Sequence, residues 1–255
     1  MEFSVENLPA GLTVNPKNGH ITGRITSAEK KTYHVTLQAK NSKGSDAKAF
    51  RIVVGEQIAL TPPLGWNSWN CWHQKVSQAK VLESAKAMSD AGLQRVGWMY
   101  INMDDGWQAK RGGKHNAVMP NTKFPDMKGM VDEIHAMGFK AGIYHTPWVG
   151  SYAGYCGGSS NQKDGHDWPT DSVDGVGDQE RYNYFHIGEH KFDKEDTLQW
   201  ADWGIDYLKD DWVLARDITP AAVARRKEAL QDCGRDIVYS LSNTGPLKFA
   251  DTFVN

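Results

Sequence analysis

A short apolar stretch that ends in charged residues, Tyr207-Leu208-Lys209-Asp210-Asp211, carries residue types well suited to chemistry. Because strand side chains alternate between two faces, Lys209 and Asp211 share one face and Asp210 points to the other. A carboxylate beside a cation at the end of a parallel strand is a candidate nucleophile that its neighbour keeps ionised. The alternative is an ordinary ion pair at a strand end, since structural pairs also perturb carboxylates.

Other predicted strands also end in polar or aromatic residues. Trp69 follows the first strand of this part of the chain, Asp104 and Asp105 follow the second, and Tyr144-His145 ends the third. Charged groups at the carboxyl ends of adjacent barrel strands converge on one mouth, which stability alone would not select. The alternatives are unrelated solvated strand ends and a metal site. The acidic residues and His145 lack a compact ligand spacing, so we expect neither a metal nor another cofactor.

Strand and helix patterns alternate from residue 64 onward, which predicts an α/β fold with a parallel sheet. An open doubly wound sheet is the weaker alternative to a (β/α)₈ barrel, because no glycine-rich phosphate loop follows any strand. We expect five to six of the eight barrel strands here. The predicted strands are 64–69, 99–103, 139–144, 205–208, 237–241 and 252–254. The predicted helical stripes are Val81, Ala85 and Met88; Met127, Met130, Val131 and Ile134; and Val223, Lys227 and Leu230.

The segment from Gly150 to Lys191 interrupts this alternation. It is rich in Gly, Ser, Asp and aromatic residues, and it follows the third strand at the end where loops build an active site. A loop this long is usually functional or disordered. The interpretation we favour is an excursion that faces a substrate.

Residues 1–55 have a different pattern, with short alternating strands between turn signals such as Asn15-Pro16-Lys17-Asn18-Gly19. This pattern is typical of a small all-β sandwich. The motifs in Leu8 to Leu12, Asn18 to Gly23 and Tyr33 to Val54 resemble the Ig-like modules of bacterial surface and secreted enzymes. We therefore predict an Ig-like segment at 1–55, which looks short for a complete sandwich, a linker at 56–63, and part of a barrel at 64–255.

Composition narrows the classes of partner. The net charge of −2, without a basic run, gives nothing to neutralise a phosphate backbone, so a nucleic-acid partner is not expected. No stretch reaches the length of a membrane span, no signal peptide is visible, and three widely spaced cysteines suggest neither a disulfide framework nor a zinc site. Ten tryptophans suit carbohydrate binding, since flat rings with a donor edge match sugar faces, but the commoner role of tryptophan is in the core.

Four motifs follow one another along the chain: Leu64-Gly65-Trp66-Asn67-Ser68-Trp69-Asn70; Tyr100 to Trp107; Phe124 to Lys128 with His135 to Tyr144; and Trp203 to Asp211. In this order and spacing they resemble the α-galactosidases of glycoside hydrolase family 27 and their close relatives. The resemblance covers about residues 62–255 and is specific for the four motifs together, whereas any one alone would be weak.

The resemblance implies a retaining mechanism on a (β/α)₈ barrel, with a terminal α-galactosyl group as substrate. It assigns the nucleophile to Asp211 and a sugar-binding role to Lys209, which would also favour the ionised nucleophile. Asp104 and Asp105 match the acidic pair that accepts hydrogen bonds from hydroxyls on the O4 and O6 side. Trp69 and Tyr144 match aromatic residues that line the pocket.

The sequence departs from the family pattern in several places. Trp212-Val213 follows the nucleophile where relatives commonly carry a cysteine, so Cys156 lacks the usual disulfide partner. Ser242-Asn243 differs from the common galactosidase residues near the C2 substituent. The family acid/base aspartate follows the sixth strand, and no residue here matches it. We therefore expect a fragment that is inactive alone and poorly stable, because an open barrel exposes edge strands.

Three other functions stay open on the sequence. One is hydrolysis of β-L-arabinopyranosides or α-N-acetylgalactosaminides by the same mechanism. The second is carbohydrate binding without catalysis, against which the retention of Lys209 and Asp211 argues. The third is a metal-dependent barrel hydrolase. The Ig-like segment favours a secreted, periplasmic or cell-surface location for the full-length protein.

Overall fold

The computed structural model describes residues 1–26, 29–55, 57–211 and 219–242, and the chain divides into two compact units, Met1–Ile58 and Ala59–Asn255. In the first unit, β1, β4 and β5 form an antiparallel sheet with β4 in the centre, and β2 pairs with β3 in a hairpin. The predicted alternation is present in the central strand, where Val35 is buried. The first five strands are β1 (Glu2–Glu6), β2 (Leu12–Val14), β3 (Ile21–Gly23), β4 (Lys31–Asn41) and β5 (Gly44–Val54).

The second unit contains nine described strands and five described α-helices. The strands are β6 (Leu64–Asn67), β7 (Trp98–Met103), β8 (Gln108–Gly112), β9 (Ala117–Pro120), β10 (Lys140–His145), β11 (Ser159–Ser160), β12 (His190–Lys191), β13 (Tyr207–Asp211) and β14 (Val238–Ser242). The helices are α1 (Trp69–Trp72), α2 (Gln78–Asp90), α3 (Met127–Ala136), α4 (Asp193–Trp203) and α5 (Pro220–Asp232).

The main sheet of the second unit has five parallel strands, and their spatial order β6-β7-β10-β13-β14 follows the chain. A helix lies between each strand and the next, from α2 to α5. A doubly wound sheet would reverse its strand order at a switch point, whereas a barrel adds each strand on the same side. The prediction of a partial (β/α)₈ barrel after an all-β segment is therefore confirmed.

Two of the helical stripes are buried as predicted. Ser77 caps α2 by accepting a hydrogen bond from the Lys80 N–H, and Asp126 caps α3 by accepting one from the Gly129 N–H. The apolar residues of both stripes face the core, which is why these two patterns were readable from sequence. The buried stripe residues are Val81, Ala85 and Met88 in α2, and Met127, Met130, Val131 and Ile134 in α3.

The stripe predicted for α5 is partly wrong. Val223 and Leu230 are buried, but the middle position is taken by Arg226, which is 1% exposed, and Lys227 is only half-buried. Burial of an arginine requires fixed acidic partners, which the pattern of apolar residues does not reveal. Thr219 and Pro220 begin the helix as predicted.

The sequence analysis missed α4 and the β8–β9 hairpin. The buried face of α4 includes Asp193, Asp196 and Thr197 as well as Trp200, so an apolar stripe is weak there. Gly204, with φ of 89°, ends α4, and the strand predicted at 205–208 therefore begins later, at Tyr207. The strand predicted at 252–254 lies outside the described residues. None of the described helices has the length and apolar character needed to cross a bilayer.

Candidate active site

Six predicted site residues lie at the carboxyl ends of neighbouring strands, and we call them the pocket cluster. The strands β6, β7, β10 and β13 position them, as parallel strands do for the active-site loops of a barrel. The members are Trp69 in α1 directly after β6, Asp104 and Asp105 directly after β7, Tyr144 in β10, and Lys209 and Asp211 in β13.

Asp104 and Lys209 form the centre of the pocket cluster. Asp104 is buried, and its Oδ2 accepts hydrogen bonds from Lys209 Nζ at 2.8 Å and from Asn67 Nδ2 at 2.8 Å. The Lys209 ammonium also lies 5.2 Å from the centre of the Tyr144 ring, within the range of a cation–π contact. Burial lowers the pKa of Lys209, but Asp104 and Asp211 raise it above its ordinary value, so the lysine is charged.

Asp211 is less tightly paired than Asp104. Its Oδ2 lies 3.7 Å from Lys209 Nζ, and the Ser242 side chain donates a hydrogen bond to it. Burial raises the pKa of Asp211 to about 6, with Lys209 opposing the rise and Asp104 and Asp105 adding to it. The predicted influence of the lysine is therefore present, but burial and the neighbouring acids outweigh it.

Asp105 is held by the long loop after β10 rather than by a cation. Its carboxylate accepts hydrogen bonds from the Ala153 N–H at 2.8 Å, from Gln108 Nε2 at 3.0 Å and from the Ser151 side chain. Burial raises the pKa of Asp105 to about 6, although these three donors lower it. A residue of the 150–191 segment therefore contacts the pocket cluster directly.

Two aromatic residues complete the pocket cluster. The Tyr144 side chain is 1% exposed, its hydroxyl has no hydrogen-bond partner among the described residues, and burial raises its pKa well above 10. Trp69 is half-buried, and its backbone N–H donates a hydrogen bond to Asn67 Oδ1 at 2.9 Å. Asn67 therefore connects Trp69 to Asp104. The sequence analysis did not single out the bridging role of Asn67.

His145, which ended the third predicted strand, lies apart from the pocket cluster. Alternation along β10 turns it to the reverse face of the sheet, where Nε2 lies 3.2 Å from Asp196 Oδ2 and Nδ1 lies 3.4 Å from Asp210 Oδ1. These contacts belong to a second group of buried charged and polar residues, which the sequence analysis missed. We call it the reverse-face cluster: Arg111, His145, Asp193, Asp196, Asp210, Arg226 and Tyr239.

The best-paired members of the reverse-face cluster are Arg111 and Asp196. Two parallel hydrogen bonds join them, at 2.7 and 2.9 Å, and neither side chain is exposed. Burial alone would raise the pKa of Asp196, but Arg111 and His145 hold it well below its ordinary range. Arg111 also donates to the Gly157 carbonyl at 2.8 Å, which anchors the loop after β10.

The chemistry open to the pocket cluster follows from these contacts. The pocket cluster has three carboxylates and one lysine, and its described ion pairs join that lysine to Asp104 and Asp211, so carboxylate oxygens are available to accept hydrogen bonds from hydroxyl groups. The shortest contact of Lys209 goes to Asp104 and not to Asp211. Asp211 therefore keeps oxygen lone pairs that could act in a nucleophilic attack. The three cysteines of the chain are free thiols.

Both units match known families. Residues 1–55 match the family model described as "Putative Ig domain", and residues 61–177 match the model described as "Alpha galactosidase A". Alpha-galactosidase A of Cellvibrio japonicus is 33% identical over 193 residues, which cover 74% of this chain and 40% of that protein.

Two solved structures extend the comparison. A crystal structure from Bacteroides fragilis, described as a "putative alpha-galactosidase", is 33% identical with a TM-score of 0.74 and covers 93% of this chain and 45% of its own. A β-L-arabinopyranosidase from Geobacillus stearothermophilus is 26% identical with a TM-score of 0.57, over 76% of this chain and 52% of its own. The chain thus spans about half the length of these relatives or less. It belongs to the α-galactosidase family, glycoside hydrolase family 27, and carries an Ig-like domain before the family segment.

Proposed function

We propose that this chain carries the sugar-binding and nucleophile part of a retaining glycoside hydrolase that acts on terminal α-galactosides. Asp211 attacks the anomeric carbon and forms a glycosyl-aspartate as the glycosidic C–O bond breaks and its electron pair goes to the leaving oxygen. Water then displaces the aspartate, so the configuration at the anomeric carbon is retained. We assign the acid that protonates the leaving oxygen to no residue of this chain.

The observation that carries the proposal is the unequal pairing of Lys209. Its short contact goes to Asp104, which fixes both groups, while Asp211 lies 3.7 Å away on the same face. A nucleophile needs a lone pair free of strong hydrogen bonds, and Asp211 meets that condition better than Asp104.

Asp104 and Asp105 take the sugar-recognition role in this proposal. Both carboxylates are 1% exposed, and a sugar hydroxyl that fails to reach them leaves a buried acceptor without its partner. Such a loss costs about 1–3 kcal/mol, and more for a charged group, which is how the site would reject an epimer. The unpartnered Tyr144 hydroxyl is a further candidate contact to the sugar.

The test is covalent labelling of the chain by a fluorinated α-galactosyl reagent with a fluoride or dinitrophenolate leaving group. Such a leaving group departs without a proton, so the reaction depends on the nucleophile and not on the acid. We expect mass spectrometry to find one fluorogalactosyl group per chain, on the peptide that contains Asp211. Asp211→Asn abolishes the labelling, and Asp202→Asn, an exposed substitution in α4, leaves it unchanged.

Other outcomes separate the rival functions. Saturable galactose binding without labelling would support a carbohydrate-binding protein and would refute the nucleophile assignment. Preferential labelling by the β-L-arabinopyranosyl analogue, which lacks the C6 hydroxymethyl group, would favour the activity named for the similar Geobacillus enzyme. Preferential labelling by an N-acetylgalactosaminyl analogue would place a C2 acetamido pocket near Ser242.

Ordinary aryl α-galactosides give a second readout. We expect no turnover of these substrates by the chain alone, because loss of general acid catalysis lowers rates by about 10² to 10⁴. Steady hydrolysis would contradict this expectation and would require an acid within these 255 residues.

We further propose that the protein acts outside the cytoplasm, at the cell surface, in the periplasm or after secretion. The Ig-like domain supports this location, since such modules occur in surface and secreted enzymes. Cell fractionation of the source organism with an antibody against the second unit tests it, and a purely cytoplasmic signal would refute it.

A further inference from the structure

Residues of the reverse-face cluster alternate with residues of the pocket cluster along β10 and β13. Tyr144 pairs with Lys209 in the register of β10 and β13, and the next pair in the same register is His145 with Asp210. Because side chains alternate, each strand presents a pocket-cluster residue on one face and a reverse-face-cluster residue on the other. Any rotation or shift of His145 and Asp210 therefore moves Tyr144 and Lys209 by a similar amount, and Asp211 with them.

Asp210 is fixed by residues of three other elements. Its Oδ1 lies 3.4 Å from His145 Nδ1 in β10, and its Oδ2 accepts a hydrogen bond from the Tyr239 hydroxyl in β14 at 3.2 Å. The Nε of Arg226 in α5 lies 3.6 Å from the same oxygen. Asp210 is fully buried, so no water replaces a lost contact without rearrangement.

Arg226 joins these contacts to the helix layer. One of its terminal nitrogens, Nη2, lies 3.2 Å from His145 Nδ1 and 3.0 Å from Asp193 Oδ1 in α4. The His145 ring also packs against the backbone of Gly158, where a Cβ would lie 2.2 Å from Cε1. The histidine, the aspartate and the arginine therefore have little freedom to move separately.

We propose that Asp210, His145 and Arg226 are positioning residues that hold Lys209, Asp211 and Tyr144 in the geometry needed for attack on a sugar. This inference rests on the proposed function of Asp211. The three residues point away from the pocket and do not contact the substrate themselves. Their role is to fix β13 and β10 from behind at the level of the nucleophile.

The other end of β13 provides a matched comparison. Asp206, just before the strand, accepts hydrogen bonds from Arg235 Nη2 at 2.6 Å and from the Ala141 N–H at 2.9 Å, and it contacts His135 Nε2 at 2.8 Å. This group also joins an aspartate, a histidine and an arginine around the same strand, but it lies at the end away from the pocket cluster. A role in stability alone predicts that a change in either group leaves the labelling rate of the folded protein unchanged, even though Arg226 is more deeply buried than Arg235.

The experiment compares Arg226→Lys with Arg235→Lys, which both keep the charge and remove the planar fork of donors. The rate constant of covalent labelling at saturating reagent and the reagent concentration at half-saturation are measured for each. We expect Arg226→Lys to lower the rate constant about 10- to 100-fold and to change half-saturation less than about 3-fold, because misplacement of reacting atoms acts on the chemical step. Arg235→Lys leaves both within about 2-fold. Equal losses in the two variants, or no loss in Arg226→Lys, would overturn the proposal.

A second measurement does not depend on labelling. Titration of the Asp211 carboxyl by ¹³C NMR should give a value near 6 in the parent chain. Since Arg226→Lys keeps the formal charge, a change of about half a unit or more reports a shift of Asp211 relative to Lys209 and its acidic neighbours. We expect that change for Arg226→Lys and none for Arg235→Lys; the same value in all three proteins would refute the positioning role.

Two further points keep the test decisive. If the parent chain does not label, the proposed function fails, and the NMR titration still decides whether the reverse-face cluster positions Asp211. If Arg226→Lys does not fold, Tyr239→Phe removes the hydrogen bond from the Tyr239 hydroxyl to Asp210 and retains the ring. We expect that variant to lower the labelling rate constant about 3- to 10-fold with an unchanged far-ultraviolet spectrum, and an unchanged rate constant would contradict the proposal.

Discussion

Asp210 and Asp211 are neighbours in one strand, and their surroundings differ in kind. The pocket cluster around Asp211 sets three carboxylates against Lys209, and burial raises the pKa of both Asp105 and Asp211 to about 6. The reverse-face cluster around Asp210 contains two buried arginines and a histidine. There, burial also disfavours the ionised Asp193 and Asp196, but Arg226 and Arg111 respectively lead the opposing contacts and hold both pKa values below their ordinary range.

Similar burial therefore has opposite effects on carboxyl pKa values where the neighbouring cations differ in number and placement. Asp193 and Asp196, which pair with buried arginines, stay ionised and connect secondary-structure elements. Among the described residues of the pocket cluster, Lys209 makes its short contact with Asp104, so Asp105 and Asp211 have no cation in short contact and can accept hydrogen bonds from the hydroxyls of a ligand. Five predictions test this contrast, in order of decreasing effect.

Asp196→Asn should cost the second unit about 3–5 kcal/mol in free energy of unfolding, because Arg111 is then left buried without a charged partner. Urea unfolding followed by tryptophan fluorescence measures this loss. Asp202→Asn in the same helix is the control: its ion pair with Lys114 is exposed, and we expect a loss below about 1 kcal/mol. Equal losses in the two variants would contradict the contrast between buried and exposed pairs.

Asp104→Asn should weaken galactose binding by about 2–3 kcal/mol, measured by titration calorimetry, because a charged acceptor for sugar hydroxyls is lost. The free energy of unfolding should change less than in Asp196→Asn, since one of three crowded carboxylates is neutralised. A stability loss as large as that of Asp196→Asn, with binding intact, would show that the pocket cluster is structural.

The contribution of Asp105 to the pH dependence of stability should have the sign expected for a carboxyl group whose pKa is raised in the folded state. A buried aspartate with a folded pKa near 6 and an unfolded pKa near 3.8 favours the fold in its protonated form. The contribution of Asp105 to stability is therefore highest below about pH 4, falls as the pH rises to about 6, and is then constant, whereas the lowered pKa values of Asp193 and Asp196 act in the opposite sense. We expect Asp105→Asn to remove a fall on the order of 2 kcal/mol across this window, measured by urea unfolding at several pH values.

Lys209→Met should raise the pKa of the Asp211 carboxyl by about one unit, since the lysine is the cation that lowers it. ¹³C titration of the carboxyl measures the shift. Labelling by the galactosyl reagent should require correspondingly higher pH, because only the ionised aspartate attacks. Lys140→Met, at the start of β10 and over the Tyr100 ring, is the control and should leave the Asp211 titration unchanged; a fall in the pKa of Asp211 in Lys209→Met would contradict the assignment.

Tyr144→Phe should have the smallest effect on the fold, a change in the free energy of unfolding within about 1 kcal/mol. Removal of a buried hydroxyl without a described partner relieves its desolvation and leaves the ring in place. Galactose binding should weaken measurably if the sugar supplies the missing partner. A large stability loss would show that the hydroxyl already has a partner in the folded protein.

The sequence predicted the barrel and the pocket cluster for a common reason. Period-two alternation and short apolar runs locate strands, and alternation alone places Lys209 and Asp211 together and Asp210 opposite. The roles of Asp104 and Asp105 came from the family resemblance and stay predictions.

The reverse-face cluster could not be predicted in the same way. Its residues are spread from Arg111 to Tyr239, and each reads as an exposed polar position until its partner is known. The predicted stripe included Lys227 because no local sequence pattern indicates that Arg226 pairs with Asp193 and Asp210. α4 was missed for the same physical reason, since a helix that buries carboxylates lacks a clear apolar face.

The hydrogen bond from the Ala153 amide to Asp105 has a consequence for how selectivity could change in this protein. Every residue except proline carries a backbone N–H, so substitutions of Ala153 by other residues keep this donor. Insertions or deletions between β10 and α4 move the amide itself. Loop length, together with the side chain at Ser151, is therefore a variable through which relatives or engineered variants would shift preference among sugar epimers.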